Sequence, residues 1–174
     1  MGLESRGGPE RDVGPAFDRL AAAVDPAMVI VTASLDGNDA GCLVGFHGQS
    51  SIDPRRWSVW ISRANHSHDI IVGASRIGVH FLADGDHELA RLFGATTGDE
   101  IDKFARCETV HRLGVPMLAD CGSWLVGTRC GRHTDGDHTC VVVEPLIVGD
   151  ADLHRPLRLA DVDDVEPGHP VDGR

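Results

Sequence analysis

The sequence predicts an antiparallel β-barrel decorated with short helices. Three observations carry that expectation: β-rich runs outnumber helical ones, turn signals separate them at hairpin spacing, and no regular alternation of strand with long crossover helix appears. At 174 residues, with 41% hydrophobic and 25% charged residues, the chain matches one globular domain and excludes disordered, collagenous and membrane-spanning classes.

The elements follow in order. Residues Met1 to about Pro15 are rich in Gly, Pro and charge and are expected to form a loose arm. Phe17, Leu20, Ala21 and Val24 place an apolar stripe on a short helix that Pro26 ends. Ala27 to Ser34 and Gly41 to Phe46 are strands joined through Asp36-Gly37, a hairpin signal. Trp57 to Ser62 alternates as a half-buried strand does, and Ile77 to Leu82 is another. Between them His68 to Ala74 is a short helix that Ser67 is placed to cap. Glu88 to Phe93 and Asp99 to Ala105 are brief helical pieces, and Trp124 to Cys130 and His138 to Val148 are strands joined across Gly131 to Asp137. The domain is expected to span residues 16–159, and the acidic stretch 160–174 to be a mobile tail.

Charge and motifs narrow the function. A net charge of −11 repels phosphate backbones and anionic lipid surfaces, and the absence of Tyr leaves few platforms for stacking bases. No apolar run approaches the roughly 20 residues of a bilayer span, and no signal peptide is legible at the N-terminus, so a cytoplasmic location is expected. The five Cys form no Cys-x-x-Cys pair and are expected to be reduced thiols. Neither His66-Ser67-His68 nor His133 to His138 has metal-ligand spacing, and the Gly-x-Gly-x-x-Gly, Walker and Gly-x-Ser-x-Gly motifs are missing, so no metal is expected.

Two segments invite a ligand. Gly45-Phe46-His47-Gly48-Gln49-Ser50-Ser51-Ile52-Asp53-Pro54 leaves a strand and reads as a loop of small and hydroxyl residues, able to present main-chain N–H groups to an anion or to the polar edge of a flat ring; a plain surface turn has the same composition. Arg63-Ala64-Asn65-His66-Ser67 leads into a helix start where a phosphate would fit, within the densest basic stretch of the chain, though an ordinary N-cap reads the same way.

In order, Val31-Thr32-Ala33 with Asp36-Gly37, the Gly41 to Pro54 stretch ending Ser-Ile-Asp-Pro, Ser62 to Ser67, Asp102-Lys103-Phe104 and Gly136-Asp137-His138 resemble the flavin reductase family of FMN-binding split β-barrels, over roughly Phe17 to Val148. The resemblance implies a homodimer that holds FMN, or in some members FAD, and passes hydride to it from NADH or NADPH, in some cases for a partner monooxygenase. It places Gly45, Phe46, His47, Gly48, Gln49, Ser50 and Ser51 along the flavin ring and ribityl chain. Ser62, Arg63, Ala64, Asn65 and Ser67 fall at the ribityl and phosphate end, and Lys103 and Phe104 at a position that closes over the flavin. His138 falls beside the nicotinamide, where an imidazole can bond the carboxamide without carrying permanent charge. From the residues alone, the reading favoured for His138 is a hairpin residue paired with Asp135 or Asp137. Family members commonly carry Asn where this chain has His80, at a flavin contact, and a small or hydrophobic residue where it has His47. The same scaffold also supports a flavoenzyme with another substrate and a non-catalytic flavin or haem carrier.

Overall fold

A computed structural model describes residues 13–95, 101–150 and 152–165. The expected N-terminal arm therefore lies almost wholly outside the described residues, as do 166–174 of the expected tail and the start of the helical piece at Asp99.

Helix α1, Gly14–Val24, precedes strands β1, Val29–Leu35, and β2, Asn38–Val44. Asp36 and Gly37 have φ of 52° and 80°, the left-handed pair that a two-residue hairpin turn demands. Strands β3, His47–Ser51, and β4, Arg56–Ser62, lead to helix α2, His68–Gly73, strand β5, Arg76–Phe81, and helix α3, His87–Gly94. A 3₁₀ turn at Phe104–Arg106 has its first amides capped by Asp102 Oδ1. Strands β6, Thr109–Arg112, and β7, Val115–Leu118, form a separate ribbon; β8, Ser123–Asp135, and β9, His138–Val148, complete the main sheet.

The seven-stranded sheet runs β2-β1-β5-β8-β9-β4-β3, and every pairing is antiparallel. It curls until strands from both ends share one interior: Val31, Cys42, Val59, Ile61, Val79 and Val141 belong to a single buried cluster. This is the split-barrel architecture. The seam is crossed by side chains, among them His47 Nε2 on the carbonyl of Ala27 at 2.7 Å. Helix α2 plugs the interior with Ile71 and Val72, while α3, β7 and the segment around Leu157 cover the outside of β1 and β2 through a second cluster containing Ile30, Phe93 and Leu118.

Three expectations are corrected, and one hairpin is added that the sequence reading did not include. The stretch expected as a loop after Gly45 is, from His47, an edge strand: β3 pairs with β4 on one side, and no described strand pairs the other. Strand β8 continues through the expected loop to Asp135, so the β8–β9 turn is only Gly136-Asp137. The β6–β7 hairpin has a turn at Leu113-Gly114, φ 52° and 80°, and a Pro within β7 that a two-stranded ribbon tolerates and a central strand would not. The packed chain also passes Ala160, because Leu159–Val162 forms a 3₁₀ turn that buries Val162.

Helix α1 forms where its periodicity places it, yet Phe17, Leu20 and Val24 all remain exposed. The described chain leaves most of its stripe uncovered.

Two strands approach closely at a bulge between β8 and β9. A Cβ on Gly127 would stand 2.4 Å from the carbonyl oxygen of Glu144 and 2.4 Å from Val143. Gly127→Ala is expected to destabilise the fold by about 1–3 kcal/mol, the usual cost of overpacking, and urea unfolding would register it as a lower midpoint.

Candidate functional site

Strand alternation sorts the expected residues into two sets. In β4, Trp57, Val59 and Ile61 belong to the interior, so Ser58, Trp60 and Ser62 face outward. The register places Trp60 opposite Cys140 and Ser62 opposite His138 on β9, and Gly48 opposite Ser58 on β3. One outer face thus carries Phe46, Gly48, Trp60, His138 and Cys140. Phe46 is 59% exposed and Trp60 39%, unusual for large rings, and the Phe46 ring lies 5.2 Å from the imidazole of His138. A Cβ built on Gly48 meets nothing within 4 Å, so the space above this part of the face is open.

Hydroxyls flank the aromatics. Ser58 donates to Ser50 Oγ at 2.8 Å and also bonds the Cys140 thiol, whose pKa burial pushes up against that bond. Because Trp60 N–H binds the Phe46 carbonyl, the ladder leaves the N–H groups of His47 and Gln49 pointing to the unpaired edge. Gln49 donates its own side-chain amide to the Ser51 carbonyl, and the strand's end borders an open depression of about 520 Å³ reaching Asp53.

His138 is held from one side. Its Nδ1 lies 2.6 Å from Asp137 Oδ1, so the carboxylate accepts Nδ1–H and leaves Nε2 as an acceptor in the neutral ring. The pairing read from the residues alone and the position implied by the resemblance are therefore compatible. Arg63 clamps the same turn: its backbone N–H donates to the Asp137 carbonyl at 2.9 Å and its guanidinium to the Gly136 carbonyl at 3.3 Å. Arg56, from the same basic stretch, is paired with Glu144 at 3.1 Å.

The loop before α2 is tightly turned, with Ala64 N–H on Ser62 Oγ and Asn65 N–H on the Ser62 carbonyl. Ser67 occupies the N-cap position but makes no side-chain cap bond; its hydroxyl and the Asn65 side chain bond the buried Cys42 sulfur instead. Lys103 lies within electrostatic reach of that thiol. It is only 8% exposed, its ammonium donates to the carbonyls of Phe93 at 3.2 Å and Gly41 at 3.5 Å, and burial lowers its pKa from the usual lysine value. The structure therefore puts Lys103 behind the Asn65–Ser67 loop, and Phe104 edge-on to Phe93 in the outer cluster, where neither covers the aromatic face.

Two expected ring contacts also turn away from that face. His47 stacks on Trp57, with centroids 5.6 Å apart, among the interior side chains, and burial lowers its pKa. Gly45 packs toward Met28 and Pro26. His80 departs furthest from the position implied by the resemblance. Ile77 and Val79 point into the barrel, so His80 points out; it is fully buried against Thr32 on a face that β7 covers. In exchange the structure adds Trp60 and Cys140, which sequence reasoning missed. The available signal was an indole at a solvent-side position of an alternating strand.

Residues 22–161 match the profile described as "Flavin reductase like domain". The chain belongs to this family. The chain is similar to FMN reductase (NADH) RutF 1 of Methylorubrum extorquens (strain PA1), 32% identical over 145 residues that cover 79% of this chain and 67% of that protein. Among solved structures, a flavin reductase domain protein from Arthrobacter sp. FB24 superposes with a TM-score of 0.76 at 23% identity, covering 92% of this chain and 98% of its own. Nitrilotriacetate monooxygenase component B from Mycobacterium thermoresistibile does so with a TM-score of 0.72 at 21% identity, covering 83% and 80%. These structural likenesses bear on the fold, which all three chains share.

Proposed function

We propose that this chain is an NAD(P)H-dependent flavin reductase that binds FMN over the outer face of β3, β4 and β9 and aligns a nicotinamide beside His138. The observation that carries the reading is the exposed Phe46 and Trp60 pair beside an oriented imidazole, with open space above Gly48. Two large rings left in solvent favour a flat aromatic cover. Lys103, whose bonded partners are carbonyl oxygens, and Arg63 bring positive charge to the loop at Asn65 and Ser67, in keeping with an anionic end to the ligand. The residues present thus fit a phosphorylated flavin, and the curated relative's name points the same way.

FMN held there would supply the two-electron acceptor for hydride. The work of the protein is placement. Phe46 and Trp60 supply stacking surface and exclude water, while the Ser50, Ser58 and Ser62 hydroxyls and the edge N–H groups of His47 and Gln49 supply polar contacts to the ring edge and ribityl chain. His138 Nε2, kept as an acceptor by Asp137, receives an N–H of the nicotinamide carboxamide. No proton transfer by the protein is required.

The proposal extends to a homodimer and to service as the reductase component of a two-component monooxygenase. The open apolar stripe of α1 and the exposed Leu146, Ile147 and Val148 support the first. The likeness to a monooxygenase component supports the second.

The test is anaerobic stopped-flow with FMN and FAD, each against NADH and NADPH, following loss of flavin absorbance. A chain that binds no flavin overturns the reading. Within it, His138→Ala is expected to weaken nicotinamide use about tenfold, the scale of one charge-free hydrogen bond with its orientation, and to leave FMN affinity nearly unchanged. Equal loss of both would remove the role given to His138.

A further inference from the structure

We infer that His68 is a positioning residue for hydride transfer: through Thr139 it locks the β8–β9 turn, and with it His138, onto the loop that precedes α2. This inference rests on the reductase reading above. The β4–β9 ladder ends at the pair Ser62 and His138, and beyond it one backbone bond, from Arg63 N–H to the Asp137 carbonyl, reaches the hairpin. From Ala64 to Ser67 the loop relies on side chains to fix it there. His68, the first residue of α2, places Nε2 2.9 Å from Thr139 Oγ1, and Thr139 Oγ1 is 3.1 Å from Thr134 Oγ1 across the hairpin. On the other side of the ring, His68 Nδ1 is 2.8 Å from Asp69 Oδ1.

The polarity of this chain is consistent from end to end. Asp69 accepts Nδ1–H, so Nε2 of the neutral ring accepts the Thr139 hydroxyl proton, and Thr139 Oγ1 is left to accept from Thr134. Thr139 is 1% exposed, so its hydroxyl depends on these partners for its hydrogen bonds. It also adjoins His138 in the chain, whereas Asp135, Gly136 and Asp137 at the turn are all exposed. An exposed two-residue turn of this kind opens readily unless it is tied down. The Asp69–His68–Thr139–Thr134 chain and the Arg63 clamp are two ties between segments about seventy residues apart, one at each end of the loop proposed to hold the flavin's phosphate side. Movement there would change the placement of the imidazole relative to the flavin without removing a contact to either ligand.

The test compares Thr139→Val, which deletes the hydroxyl at constant shape, with His68→Ala, their double variant and His68→Gln. Single-turnover hydride transfer is expected to slow roughly three- to tenfold in Thr139→Val and in His68→Ala, while the FMN dissociation constant stays within about twofold. The double variant is expected to be no slower than the worse single, and His68→Gln, whose amide can reach Thr139, to recover most of the rate. An unchanged rate in Thr139→Val, additive losses, or FMN affinity falling in step with rate would overturn the inference. Amide exchange at Gly136 to His138, measured on protein without ligand, should quicken in Thr139→Val and His68→Ala; unchanged protection also overturns it. A wild-type chain that bleaches no flavin with nicotinamide would instead sink the functional reading, whatever the exchange shows.

Discussion

Gly48→Val should abolish most flavin binding while leaving the fold intact. Gly48 sits in β3 opposite Ser58, on the face where Phe46 and Trp60 stand exposed, and its φ is not in the left-handed region. No protein atom lies within 4 Å of an added Cβ, so nothing in the chain's own packing demands glycine there. A β-branched residue is also better suited than glycine to a strand. Thermal stability should hold or rise slightly. A ligand lying on that face, however, would meet two new methyl groups, and the forced overlap should weaken FMN roughly tenfold to a hundredfold, matching the 1–3 kcal/mol that overpacking costs. Flavin titration by fluorescence quenching reads the effect. Unaltered affinity would place the ring elsewhere.

Acid should destabilise the protein through His80. Desolvation on burial pulls its pKa from 6.5 down to about 3. Its Nε2 meets Thr32 Oγ1 at 3.2 Å, and Nδ1 is buried without a hydrogen-bond partner. The unfolded chain therefore binds a proton that the folded chain refuses throughout the interval between those values. The stabilising contribution is complete above about pH 6.5 and is lost as pH falls toward 3, by up to roughly 4–5 kcal/mol in all and about 2 kcal/mol by pH 5. His80→Gln keeps a polar partner for Thr32 and cannot titrate. Urea midpoints measured at pH 7, 6 and 5 should fall more steeply for the wild type than for the variant. Parallel curves would show that His80 does not govern acid sensitivity.

Much of the architecture was legible because local rules and packing agree. Asp36-Gly37 names its hairpin, Trp57 to Ser62 alternates because one face is core, and Pro26 ends α1 as expected. The hidden elements lack those signals. Gly48-Gln49-Ser50-Ser51 has no apolar alternation, since β3 is an edge strand with an open face and contributes little to the core, so it reads as a loop. Charged residues conceal burial in the same way: Lys103 is drawn in by carbonyls ten and sixty-two positions away, which no local pattern encodes. The proposed site was half visible. Family likeness pointed to the Phe46 to Ser51 stretch and His138, but strand parity decides which members share a face, and parity depends on where β3, β4 and β5 begin. Thus the side chains of His47 and His80 turn away from the face proposed for the flavin, and Trp60 stands on it.

The thiols give the molecule a defence against oxidants. Desolvation raises the pKa of Cys42, Cys107 and Cys140, and that of Cys121 to about 12. Peroxide attacks the thiolate far faster than the protonated thiol, so at neutral pH these four sulfurs present almost none of the vulnerable form. Those four can thus lie unpaired within the fold with little liability to oxidation, which leaves Cys130, exposed on β8, as the sulfur open to it.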